Sequence, residues 1–130
     1  MNTTKGSPYG TNKKSTDILE DVKIKLSALW IALMLLYIYA DILSLFRPGQ
    51  IEEMIEGRMG PLPATQISLL TASILMIIPA VMVFLSLTLK PALNRWTNIS
   101  LGTLYTLVNS SNLIGEPWAY YISFGIVEIV

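Results

Sequence analysis

The chain has 130 residues, 52% hydrophobic and 14% charged, with a mean hydropathy of +0.54, whereas an average soluble domain carries roughly 25% charged residues; the composition points to a membrane protein. Nine Lys and Arg offset nine Asp and Glu, which leaves no electrostatic footprint for a nucleic acid. Cys and His are both absent, which excludes thiol nucleophiles, disulfides, histidine bases, His-ligated haem and the usual zinc sites.

Residues 1–16 (MNTTKGSPYGTNKKST) contain no apolar run and cannot bury enough surface to offset the entropy of ordering, so a disordered polar arm is expected. It is not a cleavable signal, because the first apolar stretch starts only at Leu26, exceeds the length of a signal core and has no small-residue cleavage site behind it; that stretch is a retained anchor. Asn2-Thr3-Thr4 fits a glycosylation pattern that recurs at Asn98 and Asn109 inside apolar segments, and carries no weight. Asp17, with Glu20 three residues on and Ile18, Leu19 and Val22 on one face, predicts a capped helix start. The transmembrane domain then occupies 17–130. Its first span, 26–46 (LSALWIALMLLYIYADILSLF), rises about 32 Å at 1.5 Å per residue, matching a hydrocarbon core of about 30 Å. Arg47-Pro48-Gly49 ends it.

Ile51, Met54 and Ile55 alternate with Glu52, Glu53 and Glu56, predicting a short interfacial helix over 50–56 whose acids form a solvated face. Gly57, Gly60, Pro61 and Pro63 punctuate its exit. The second span, 64–89, carries Pro79 in its interior; the proline removes the donor to the Leu75 carbonyl, so a kink is expected, with a neighbouring helix or hydroxyl satisfying that oxygen. KPALNR reads as a tight connection before the third span, 96–114, whose Asn98, Asn109, Ser110, Ser111 and Asn112 require burial against other helices. Gly115-Glu116-Pro117-Trp118 makes the last turn, and the fourth span, 117–130, covers about 21 Å, short of a full crossing; either this helix is half-inserted or, the favoured expectation, the natural helix continues beyond Val130.

The fold class is therefore all-α: a membrane bundle of four transmembrane helices, the last one short or truncated. Lys5, Lys13, Lys14, Lys23, Lys25, Lys90 and Arg95 fall on one side and only Arg47 and Arg58 on the other, which places the N-terminus in the cytoplasm and the protein in the cell membrane as a multi-pass chain. Ser27, Trp30, Met34, Tyr37, Asp41 and Ser44 follow one another at spacings of three and four, as do Asn98, Gly102, Tyr105 or Thr106 and Asn109, and Trp118, Tyr121, Gly125 and Glu128. Each set makes one helix stripe, and the bundle interior is expected to be polar. Small residues at every fourth position, Ala64, Ser68 and Ala72 in span two and Gly102, Thr106 and Ser110 in span three, are patterns for close helix contact.

Depth along the helices predicts an outer polar layer of Asp41 with Asn109 above a central layer of Glu128 with Tyr37 and Tyr105. With Tyr121, these form a candidate intramembrane polar site. No basic residue in any span can neutralise either acid, and a neutral carboxyl in apolar surroundings can donate a hydrogen bond. An ionisable group at such depth marks a ligand site or a proton pathway; alternatively, carboxyls, Asn and Tyr simply tie the helices together. The Trp and Tyr residues at span ends read as interface anchors. No phosphate loop, nucleophile elbow or metal cluster is present in the sequence, so neither an enzyme nor a cofactor is expected.

The stretch KIKLSALWIALMLLYIYADILSLFRPG (23–49), then ILMIIPAVMVFLS (74–86), NRWTNI (94–99) and EPWAYYISFGIVEI (116–129), resembles an uncharacterised family of small bacterial four-span membrane proteins, a domain of unknown function, with ALWIALMLLYIYADI its most specific piece. The arrangement is also similar to DoxX-like four-helix membrane proteins, an analogy of architecture that assigns no function. Members often carry an acid where this chain has Ile77, which argues against a site of three acids. The expected partners are the lipid bilayer, a second copy of the chain and a small apolar or amphipathic ligand. Two functions follow: a non-enzymatic membrane module binding that ligand or a partner protein within the bundle, or a proton-coupled transporter of a small solute acting as a homo-oligomer.

Overall fold

The computed structural model describes residues 8–115 and 117–129. The Asn2 glycosylation pattern, the first part of the arm, Glu116 of the last turn and the terminal Val130 lie outside the described residues. Five helices and one two-residue hairpin follow in order: α1 Pro8–Ser44, α2 Gln50–Ile55, β1 Arg58–Met59, β2 Leu62–Pro63, α3 Gln66–Thr88, α4 Pro91–Leu113 and α5 Ala119–Ile129. The chain is all-α in class, as its sequence predicts.

The arm expected over 1–16 is instead helical from Pro8 onward. Once the apolar stretch has nucleated a helix, each further residue gains a backbone bond at no new nucleation cost. Even the polar Thr16 fits, its hydroxyl donating to the Asn12 carbonyl at 3.0 Å. Asp17 and Glu20 accordingly lie inside α1 rather than capping it. The helix stops at Ser44, short of the expected Phe46, as the amides of Leu45 and Phe46 tighten onto the Ile42 and Leu43 carbonyls at 3.2 and 3.1 Å. Pro48 cannot donate, and Gly49 takes φ 84, a left-handed conformation that opens α2.

No residue of α2 is buried, in keeping with an interfacial helix. The glycine-rich exit forms an antiparallel hairpin pairing Arg58 with Pro63 and Met59 with Leu62, which the sequence reading treats only as turns. Arg58 lies 3.9 Å from both Glu53 and Glu56. Thr65 then caps α3 reciprocally with Ser68, donating its amide to the Ser68 hydroxyl at 2.9 Å and accepting the Ser68 amide at 3.2 Å. The stripe expected of Ala64, Ser68 and Ala72 is therefore not a helix contact, because Ala64 precedes the helix and Ser68 is committed to the cap. α3 continues unbroken through Pro79, and the Tyr105 hydroxyl donates to the freed Leu75 carbonyl, the kind of partner that the proline demands.

α4 begins at Pro91 rather than Trp96. Proline at the first helical position loses no intrahelical bond, so most of KPALNR belongs to the helix instead of the connection. Gly115, at φ 82, lets the chain turn after α4. α5 starts at Ala119, the Trp118 carbonyl accepting the Tyr121 and Ile122 amides at 3.1 Å each.

α1 packs along α3 and touches α5, while α5 packs along α4. Trp30, Met82 and Tyr105 form the buried core, the Trp30 and Tyr105 rings meeting edge-on at 5.8 Å. Two helical stretches, Asn12–Ser44 and Gln66–Thr88, are long and apolar enough to cross a membrane. The core helix of a soluble protein would be mostly buried, yet the most apolar windows of these two are only 17% and 11% buried. Leu29, Leu70 and Phe84 point outward while Ser27, Ser86, Asn94 and Asn109 are buried. Apolar outside and polar inside is the distribution that a lipid solvent favours.

Candidate functional site

The stripes read from the spacing turn inward over most of their length, although Asp41 and Trp118 are exposed. Ser27 and Trp30 are buried and Met34 and Tyr37 partly so, and on α4 the same holds for Asn98, Gly102, Tyr105 and Asn109. Their bonds cross between helices. The Ser27 hydroxyl donates to the Val83 carbonyl at 2.9 Å, and the Trp30 indole donates to Asn98 Oδ1 at 2.7 Å. Asn98 Nδ2 donates to Asn94 Oδ1 at 2.7 Å, and Asn94 Nδ2 to the Ser86 carbonyl at 2.9 Å. This relay joins α1, α4 and α3. Asn94 is missing from the sequence reading because it falls in the stretch taken as a connection.

One turn or two beyond the relay, α1, α4 and α5, with Leu75 and Met76 of α3, surround a cavity of about 170 Å³ whose walls include Tyr37, Asp41, Asn109, Tyr121 and Glu128, together with Asn112 and Phe124. The Tyr37 hydroxyl donates to Asn109 Oδ1 at 3.0 Å. Asn109 is only 4% exposed, and its Nδ2 has no hydrogen-bond partner among the described residues. Asp41 and Glu128 line the same space.

The two expected layers are thus one. The 3.0 Å bond from Tyr37 to Asn109 joins groups assigned to different depths, since a tyrosine side chain reaches well beyond the level of its own backbone. Tyr105 is the exception among the six candidates and stands behind the cavity wall. Its ring lies 6.4 Å from that of Tyr37, and its hydroxyl is committed to Leu75.

At the end of α1, Arg47 lies over three rings of the α5 start, with its guanidinium carbon 5.4 Å from Trp118, 5.2 Å from Tyr120 and 5.3 Å from Tyr121. Its Nε also donates to the Tyr120 hydroxyl at 2.7 Å. The reading of these aromatics as interface anchors overlooks this box, because the partners stand far apart in sequence and share no local pattern. Tyr121 belongs to both the box and the cavity wall, so Arg47 fixes one side of the site.

Among the described residues no group of three or more Asp, Glu, His or Cys could hold a metal ion. Chemically, the cavity offers two carboxyls, a free amide donor and the Tyr37, Tyr121 and Phe124 rings. It can receive a small molecule that is apolar over most of its surface and carries a group able both to donate to a carboxyl and to accept from Asn109.

No match was found among curated proteins or among solved structures. A family of unknown function, DUF6326, matches over residues 14–130, which takes in every helix except the first turns of α1, and the chain belongs to that family.

Proposed function

We propose that this protein is a non-enzymatic, multi-pass protein of the cell membrane that binds a small amphipathic molecule in the cavity between α1, α4 and α5. The observation that carries the reading is the convergence of Tyr37, Asp41, Asn109, Tyr121 and Glu128 from three helices on one space, with a buried amide donor of Asn109 left unpaired there. α1, α3, α4 and α5 are the four membrane helices in this reading. α4 is too polar to qualify by hydropathy alone; its buried Asn94 and Asn109 and half-buried Asn98 support the reading, whereas Ser110, Ser111 and Asn112, expected to be buried, are exposed, the two serine hydroxyls donating back to the Thr106 and Val108 carbonyls of α4 itself. Lys23, Lys25, Lys90 and Arg95 at one end of the bundle support a cytoplasmic N-terminus.

The test is thermal unfolding of the full chain in lipid nanodiscs, titrated with benzyl alcohol and with benzylamine, which offer one ring and one polar group. The expected result is a saturable rise in Tm that weakens at least tenfold in Asp41→Asn/Glu128→Gln. A response that never saturates, or that the double variant leaves intact, refutes the site. A proton-coupled transporter acting as a homo-oligomer is the second reading, favoured by two carboxyls on one cavity without a basic residue in its wall. It requires a pH-driven flux in proteoliposomes that Glu128→Gln abolishes.

A further inference from the structure

A second concavity lies at the opposite end of α1. It occupies about 590 Å³ between the N-terminal halves of α1 and α4, with Val22, Leu26, Trp96 and Ile99 as apolar walls and Lys23 and Arg95 at its rim. The groove exists because α1 and α4 are linked by long side chains, Trp30 to Asn98 and Tyr37 to Asn109, rather than by close backbone packing. It continues into a further hollow of about 330 Å³ that shares Leu26 and Asn98 with it and runs past Leu29, Leu36 and Gly102. From Lys23 to Leu36 the helix rises about 20 Å, the length class of a lipid acyl chain.

The rim carries positive charge without internal compensation. Lys25 is paired with Asp21 at 2.6 Å, but among the described residues neither Lys23 nor Arg95 has a carboxylate within ion-pair distance. The Lys23 ammonium spends one donor on the Leu87 carbonyl at 3.3 Å and keeps two. The guanidinium of the exposed Arg95 rests over the Trp96 ring at 5.9 Å. Trp96 is 61% exposed, suiting the headgroup level of a bilayer. Among the described residues no acid lines this part of the groove.

We infer that this groove holds one anionic phospholipid, its phosphate between Lys23 and Arg95 and one acyl chain along the α1–α4 seam as far as Gly102. The site rests on the membrane reading of the bundle, but not on the acid-lined cavity. A zwitterionic lipid fits the seam equally well by shape, so the two cations supply the selectivity. At about fivefold per cation near an anionic headgroup, the preference is on the order of thirtyfold. Gly102 offers a separate handle: it lines the seam, and a Cβ added there meets nothing within 4 Å, so a larger side chain starts out in open space on the seam.

The experiment reads tryptophan fluorescence of the full chain in phosphatidylcholine vesicles containing increasing fractions of brominated phosphatidylglycerol, with brominated phosphatidylcholine as the comparison. Quenching is expected to saturate at a far lower fraction of phosphatidylglycerol than of phosphatidylcholine. That preference disappears in Lys23→Gln/Arg95→Gln and in Gly102→Leu, while circular dichroism confirms the helices. Equal quenching by the two lipids overturns the site and leaves the membrane reading standing, whereas no quenching by either overturns both. A preference that survives in Gly102→Leu also overturns it, since the chain is then not in the seam; this variant keeps the test decisive should the double charge variant fail to fold.

Discussion

Removing one oxygen atom, in Tyr105→Phe, isolates the bond that holds α4 against the proline of α3. The Leu75 carbonyl would ordinarily accept the amide of residue 79, but Pro79 has none, and the Tyr105 hydroxyl takes its place. Phenylalanine keeps the ring and its edge-on contact with Trp30 at 5.8 Å, so packing is unchanged and only the donor is lost. A buried carbonyl without a partner costs about 1–3 kcal/mol. Hydrogen bonds between membrane helices contribute about 0.6 kcal/mol on average and up to about 1.7 kcal/mol. Tyr105 is 3% exposed, and the carbonyl has no helical donor to fall back on, so we expect a loss of about 1.5 kcal/mol. In a Pro79→Ala background the restored amide satisfies Leu75, and the same substitution should cost less than about 0.5 kcal/mol. Unfolding by titration with sodium dodecyl sulfate in mixed micelles, across all four combinations, gives the coupling directly. A Tyr105→Phe penalty equal in both backgrounds, within the roughly 0.5 kcal/mol scatter of additive sites, would refute the assignment.

Ser86 is fully buried with a hydroxyl that has no partner among the described residues, while its carbonyl serves Asn94; Ser86→Ala should therefore raise stability by about 1 kcal/mol in the same titration. A Cβ at Gly125 would stand 2.6 and 2.9 Å from the Leu113 methyl carbons, so Gly125→Ala is expected to lower stability by about 1–3 kcal/mol. Leu113→Ala in the same chain should recover part of that loss, which no simple propensity effect would do. Arg47→Lys keeps the charge but loses the Nε bond to Tyr120 and the flat contact with three rings; hydrogen exchange of the α5 amides should accelerate about tenfold, with α3 unchanged.

Periodicity carried much of this architecture because a helix repeats every 3.6 residues wherever it sits. The stripe of Ser27, Trp30, Met34 and Tyr37 could thus be assigned to one face, and the missing donor at Pro79 required a partner before its identity was known. Three features depended on more than local pattern. The start of α4 was hidden because KPALNR is as polar as a connection, although Pro91 is well suited to a first helical position. Counting rises along a backbone assigns Tyr37 and Asn109 to different layers because it ignores side-chain reach, which lets Tyr37 bond Asn109. The aromatic box around Arg47 joins the end of α1 to the start of α5, and no spacing within either segment announces a contact between them.

The polar bonds across the bundle also explain why its hollows persist. In water, two helices as apolar as α1 and α3 would associate to hide their surfaces, but in the proposed membrane setting that drive is absent and association depends on packing and hydrogen bonds. α1 meets α3 closely along its length, with the Ser27 hydroxyl and the Lys23 ammonium as its crossing donors. It meets α4 through Trp30 and Tyr37, two long side chains that end on Asn98 and Asn109. Such bridges hold the two backbones apart as firmly as they hold them together, because shortening the gap would drive the rings out of register with the amides. The separation leaves space on both sides of the α1–α4 seam, toward α5 for the acid-lined cavity and toward the basic end for the apolar groove. Glu128 borders both the cavity and the lower reach of the groove. In the proposed arrangement, a lipid chain that fills the seam and a molecule in the cavity would press on the same carboxyl from opposite sides.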